Sequence, residues 1–188
     1  MLAGPRVKGL AFETVLGEVR RLRGPETAHA VMELLTARGN EVVGTSVIMV
    51  NGWYSIAAYR GLLAAIRDAT GEGTEVIRLI GNSSVHTDIP RLYQRLLHAL
   101  TPKTITQLGA RYFKRIYDTG TLSVVSEEDR RIEARFANCD GFDRNMWVEV
   151  SGSIEAFVEL AGVSEVTVRI TDGGRDDDPT ATMIARWG

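Results

Sequence analysis

Cys139 is the only thiol in the chain. It stands between Asn138 and Asp140, just past an expected strand and ahead of an expected helix, whose N-terminus could lower its pKa and make it nucleophilic. No histidine lies near it in sequence, so a small packed residue at a strand-to-helix turn is the plainer reading. Ser83 and Ser84 precede His86, which offers a nucleophile and a base. Hydroxyls are common at helix ends, however, and no orienting third group or oxyanion donor can be named. His29, His86 and His98 could meet Asp88 as metal ligands, yet none forms the i, i+4 pair that puts two ligands on one helical face. Asp176, Asp177 and Asp178 could hold a divalent cation, but their consecutive spacing does not match a calcium loop, and a solvated hairpin tip is expected. Gly71-Glu72-Gly73 follows a helix rather than a strand and lacks the lysine of a nucleotide cradle, so it reads as a helix stop.

The aromatic residues carry more weight. Arg111, Lys114 and Arg115 interleave with Tyr112, Phe113 and Tyr117, the mixture that phosphate contact and base stacking would use. With a net charge of −2, an amphipathic helix with Tyr112, Phe113 and Ile116 toward the core and the cations toward water is the favoured reading. Trp53, Tyr54 and Tyr59 could line a pocket or anchor an interface, in competition with plain core packing. A pocket formed between the helix after Trp53, the helix carrying Tyr112 and Phe113, and the inner face of a sheet would suit an apolar ligand. The expected ligand-binding residues are Trp53, Tyr54, Tyr59, Tyr112, Phe113 and Trp147. No catalytic residue, metal ligand or cofactor is expected.

The elements that must position these side chains follow from hydrophobic rhythm. Leu10, Phe12, Val15, Leu16, Val19 and Leu22 form one helical stripe ending at Gly24. Pro25 opens a second helix, through Ala28, Val31, Met32, Leu34 and Leu35, ending near Gly39. A third runs from Ser55 to Ala69, a fourth follows Thr74, a fifth spans Ile89 to Leu100, and a sixth runs from Pro102 to Tyr117. After Gly120 the period changes to two. Leu122 and Val124 form one strand; Ile132, Ala134 and Phe136 form the next. Met146 to Leu160 is helical, and Val166 to Ile170 with Ala181 to Trp187 makes a second hairpin. The chain therefore reads as a single α+β domain over residues 1–188, with a helical N-terminal two-thirds and a four-stranded antiparallel sheet of two hairpins separated by a helix.

At 188 residues and 44% hydrophobic content, a chain can bury a core without disulfides or a structural metal. The lone cysteine points to a reducing compartment. The N-terminus, with Arg6, Lys8, Glu13 and Glu18, has no signal-peptide run, and no stretch reaches a membrane span. A cytoplasmic location follows.

Trp53-Tyr54 leading into Tyr59, Leu62, Leu63 and Ala65, the helix Arg111 to Tyr117 before Gly120, and the closing Arg186-Trp187 resemble the large paralogous family of uncharacterised myxobacterial proteins. That resemblance implies no reaction. The order of elements is also similar to the ligand-binding domains related to four-vinyl reductases and to Bet3 subunits of vesicle-tethering complexes. Those domains often carry cysteines in the last hairpin, where this chain has Gly173 to Asp178. The expected function is a non-catalytic sensing or signalling module that binds a small apolar molecule, a protein partner, or both, as a homodimer, without nucleic acid or a membrane span. An enzyme using Cys139 or His86, or a scaffold docking a protein partner, is the alternative.

Overall fold

The computed structural model describes residues 4–40, 42, 48–89, 97, 100–128 and 130–188. Among these, the elements run β1 (Arg6–Lys8), α1 (Gly9–Arg23), α2 (Pro25–Ala37), β2 (Trp53–Ser55), α3 (Ile56–Thr70) and α4 (Glu75–Asp88). They continue with α5 (Pro102–Ile116), β3 (Thr121–Glu128), β4 (Arg131–Ala137), α6 (Arg144–Glu159), β5 (Thr167–Gly173) and β6 (Ala181–Arg186). The helix expected from Ile89 to Leu100 and the apolar run at Val42 to Val50 lie mostly outside the described residues, as does His98.

The α+β class and the two hairpins separated by a helix are present. The four-stranded sheet is antiparallel throughout, in the order β3-β4-β6-β5, so the hairpins meet along β4 and β6 with Ala134 opposite Met183. Ile132, Ala134 and Phe136 on β4 and Ala181, Met183 and Ala185 on β6 are buried, while Arg135 and Arg186 are exposed. That alternation is what a sheet with one covered face requires.

Helix α6 covers it. Every residue from Asn145 to Gly152 is buried, so the first half of this helix is enclosed all round rather than amphipathic. One side meets the sheet and the other crosses α4 at two glycines. A Cβ on Gly81 would lie 2.1 Å from the Glu149 carbonyl oxygen, and one on Gly152 would lie 2.1 Å from that of Arg78. Only glycine permits backbones to approach so closely. Side-chain caps start three of the helices: Ser55 accepts from the Ala58 N–H, Thr101 from Thr104 and Asp143 from Met146, whereas Thr74, the residue ahead of α4, makes no side-chain cap bond.

A second, two-stranded sheet leaves no mark in the hydrophobic rhythm. β1 pairs antiparallel with β2, with Arg6 opposite Ser55 and Lys8 opposite Trp53. Three-residue strands are too short to show a period, and their pairing spans the whole of α1 and α2. β1 also fastens the end of α5, because the Asp118 carboxylate accepts from the Arg6 backbone N–H and guanidinium, both at 2.6 Å.

Candidate functional site

The helices and the inner face of the sheet line a cavity of about 60 Å³. Ala11, Thr14 and Val15 reach it from α1, Ser84, Val85 and Asp88 from α4, and Glu149, Val150, Ser153, Ile154 and Phe157 from α6. Helix α5 contributes the face Gly109, Tyr112, Phe113 and Ile116, with Tyr117 just beyond its end. Leu122 and Phe136 close it from the sheet. Gly109 leaves this wall thin, since a Cβ there would sit 3.4 Å from the Phe157 ring.

Glu149 is the group with the most unusual surroundings. Its carboxyl is buried, and its partners are two phenols: Tyr59 donates to Oε1 at 2.6 Å and Tyr117 to Oε2 at 3.3 Å. Burial pushes its pKa up to about 7, against the lowering effect of those two hydrogen bonds. Burial also raises Tyr59 and Tyr117 well above the ordinary phenol range, with the Glu149 charge adding to it. Ser84 is the second unusual group: its Oγ is buried without a hydrogen-bond partner, although buried hydroxyls are ordinarily satisfied.

Asp88 stands where the cavity meets a larger outer groove of about 320 Å³. It accepts from Thr14 at 3.1 Å and from the Tyr112 hydroxyl. Tyr112 stacks edge-on against Phe157, with ring centroids 5.7 Å apart. Asp88, Tyr112 and Phe157 line both spaces, so together they form the partition between them. The outer groove adds Ile89, Leu97, Ile105, Leu108 and Arg115.

Of the residues expected from sequence to bind a ligand, Tyr59, Tyr112 and Phe113 lie on the cavity wall. Trp53 and Tyr54 do not. The Trp53 ring is covered by Lys8, whose Nζ sits 4.1 Å from its centroid, and the Tyr54 hydroxyl accepts from the Met49 N–H at 2.8 Å. Trp147 is fully buried in the core against Phe136 and Phe142. Glu149, Ser84 and Asp88 on the wall are not among the ligand-binding residues expected from sequence. The one signal that could have found them is Glu149 itself, a single carboxylate inside the run Met146-Trp147-Val148-Glu149-Val150.

The other reactive candidates are dispersed. Cys139 is buried against Gly120, and burial pushes its thiol up to about 12, which disfavours the thiolate at neutral pH. Ser83 donates to Glu18 at 2.5 Å, and His86 lies 3.1 Å from Glu159. His29 sits on an exposed helix face beside Glu33. The Asp176 to Asp178 tip is spent on fastening itself: Asp176 accepts from the Arg144 N–H, Asp177 pairs with Arg60 at 2.7 Å, and Asp178 accepts from the Arg175 N–H. No cluster of three metal-ligating side chains occurs among the described residues. On α5, Arg111, Lys114 and Arg115 are exposed while Phe113 and Ile116 are buried. No helix among the described residues is long and apolar enough to cross a membrane.

No protein-family model and no curated protein matches the chain. Solved structures do. An unliganded Fe(II) H-NOX protein from K. algicida superposes with a TM-score of 0.67 at 19% identity, over 96% of both chains. A point mutant of the T. tengcongensis H-NOX gives 0.67 at 18% identity, over 96% of this chain and 97% of its own. An H-NOX structure determined to probe heme distortion gives 0.66 at 18% identity, over 96% and 94%. Neither the myxobacterial family nor the Bet3-like comparison gains support from these matches; what the chain shares, from end to end, is the fold of H-NOX domains.

Proposed function

We propose that this protein is a non-catalytic sensing module that binds a small molecule in the cavity between α1, α4, α5, α6 and the sheet. The observation that carries this reading is a lined cavity holding two unfinished polar groups, the Glu149 carboxyl and the Ser84 hydroxyl, in a wall that is mostly apolar and aromatic. Small-molecule sites have this composition: mostly apolar lining with a few placed polar groups. Catalysis would need a nucleophile, a base and an orienting acid in reach of one another, and the candidates for those roles lie apart.

The H-NOX structures raise haem as a candidate ligand, and the described residues lining the cavity do not fit it. Haem iron takes an axial histidine, cysteine, methionine or tyrosine. Among the described residues lining the cavity there is no histidine, cysteine or methionine. Its tyrosines are engaged as donors, Tyr59 and Tyr117 to Glu149 and Tyr112 to Asp88. Burial, ahead of the neighbouring carboxylate charge, raises each phenol's pKa, which opposes a ligating phenolate. A cavity of about 60 Å³ is also well below the roughly 300–1,000 Å³ of cofactor pockets. The described lining supports a ligand smaller than haem.

Occupancy can reach the rest of the molecule through α6. This helix supplies Glu149, Val150, Ser153 and Ile154 to the cavity and crosses α4 without intervening side chains at Gly81 and Gly152. Packed elements of this kind shift as units rather than deforming locally. The test is native mass spectrometry of freshly purified protein beside a Gly109→Leu variant, which fills the space with a residue that favours helix. The parent should carry extra mass, or gain thermal stability from members of a small-molecule library, and the folded variant should lose both. An equal response from parent and variant would remove the cavity as the site.

A further inference from the structure

We propose, building on that reading, that the cavity takes a small organic cation of the protonated aliphatic amine class, with the Glu149 carboxylate as its counter-ion inside a ring of aromatic side chains. The charge balance of the wall points there. Glu149 and Asp88 are the ionisable acids facing the space, and no lysine or arginine lines it among the described residues. Arg115 lies on the outer groove, beyond the Tyr112 partition. A carboxylate offers about four acceptor positions. Two phenols engage Glu149, one of them at the long distance of 3.3 Å, so acceptor capacity is left over, and none of the described residues supplies a further donor to it.

The rest of the lining matches the same chemistry. Tyr59, Tyr112, Phe113, Tyr117, Phe136 and Phe157 surround the cavity. Aromatic faces attract a cation through their quadrupoles, and aromatic cages are the recurring solution for ammonium ligands. The Ser84 Oγ, buried on the same wall without a partner, can accept a second N–H. An anion would face two carboxyls and no cation. A neutral molecule would leave Glu149 uncompensated whenever it is ionised, and an unpaired buried charge is strongly disfavoured.

Size sets the probes. A cavity of about 60 Å³ has room for about four non-hydrogen atoms at the roughly 15 Å³ that a water-sized probe occupies. Isopropylammonium, propan-2-ol and acetate are matched at that size and differ in charge. Their binding to the full chain at pH 8 can be followed by NMR through the methyl groups of Val150 and Ile154. Isopropylammonium should bind about tenfold more tightly than propan-2-ol, the advantage of a charge-assisted contact to the Glu149 carboxylate over a neutral hydroxyl, and acetate should not bind. Glu149→Gln should reduce the cation to the affinity of the alcohol while leaving the alcohol unchanged.

Should that variant fail to fold, pH serves in its place. The titratable groups facing Glu149 are Tyr59 from α3, Tyr112 and Tyr117 from α5 and its end, Asp143 at the start of α6, and Asp88 from α4. The tyrosines are protonated throughout the neutral range. Isopropylammonium affinity in the parent should therefore fall between pH 8 and pH 6 as Glu149 takes up its proton, with propan-2-ol unaffected. Equal or tighter binding of the alcohol, or binding of acetate, overturns the cation assignment and leaves the cavity as a neutral-ligand site. No response to any of the three probes, together with an equal library response from Gly109→Leu and parent, overturns both.

Discussion

Two glutamates buried in this protein are opposites. Glu18 on α1 is 2% exposed and Glu149 on α6 is 7% exposed, so both have lost their water. Glu18 receives hydrogen bonds from Arg21 at 2.7 Å, Ser83 at 2.5 Å and Thr87 at 2.8 Å. Burial alone would raise its pKa; the guanidinium and the two hydroxyls outweigh it and hold the carboxyl below its ordinary value. Arg21 stays 56% exposed, so one charge is solvated on behalf of the other. Glu149 has hydrogen bonds too, but only from neutral phenols, and burial wins. Burial therefore does not decide what a carboxylate does; a compensating charge does. Glu18 with Arg21, Ser83 and Thr87 clamps α1 to α4, and Glu149 is left short of a partner in a cavity.

The glycines beside these two residues should behave as differently as the acids do, and substitution at one of them should have the largest effect of all. Gly81 packs against the backbone of Glu149, where an added Cβ would lie 2.1 Å from the carbonyl oxygen. Gly81→Ala must force α4 from α6 and should lower unfolding stability by about 3 kcal/mol, the upper end of overpacking effects. Gly17, next to Glu18, has nothing within 4 Å of the same position. Gly17→Ala should raise stability by about 0.5–1 kcal/mol, the helix-propensity difference. Urea unfolding measures both, and a loss at Gly17 comparable to that at Gly81 would erase the distinction between seam and surface.

These differences also mark how far the sequence can be read. The switch from helical to alternating rhythm after Gly120 divides the chain correctly, because hairpin strands and amphipathic helices write their burial into period. Tyr59, Tyr112 and Phe113 stand out because large aromatics must be buried somewhere. Trp53 and Tyr54 stand out for the same reason, yet a three-residue pairing with β1 turns them to Lys8 and Met49 instead. Glu18 and Glu149 look alike in sequence. One has an arginine three residues later on its own helix, a local relationship, whereas the phenols of Glu149 come from positions 90 and 32 residues away. The cavity is a product of long-range packing, and no local pattern announces it.

Acidity separates the pair next. The folded pKa of Glu149 is raised to about 7 from an ordinary 4.5, so across that window the folded protein holds a proton that the unfolded chain has released. Stability should therefore fall as pH rises through the window, by about 3 kcal/mol at full development. Glu149→Gln should flatten this fall, which makes the variant more stable than the parent at pH 8 and brings the two together near pH 5. Glu18 has the opposite sign. Its folded pKa is lowered, so its contribution is present above the ordinary value and is lost as pH drops through the folded one. Glu18→Gln should flatten only that acid limb. Urea unfolding across pH reads both limbs, and a single shared limb would show that the arginine makes no difference.

The smallest contrast is the sharpest, because it sits in adjacent residues of one helix. Ser83 is part of the Glu18 network, accepting from Arg21 and donating to the carboxylate at 2.5 Å. Ser83→Ala removes a hydrogen bond to a charged group and should cost about 1.5 kcal/mol. Ser84 has an unpartnered Oγ on the cavity wall. Ser84→Ala removes a buried hydroxyl that has nothing to bond and should raise the stability of the ligand-free protein by about 1 kcal/mol. The same substitution should weaken the binding of any ligand that uses that oxygen, since stability and function oppose each other where a site is left unfinished. If Ser84→Ala destabilises the ligand-free protein as Ser83→Ala does, its hydroxyl has a structural partner after all, and the wall of the cavity loses one of its two reasons to be called a site.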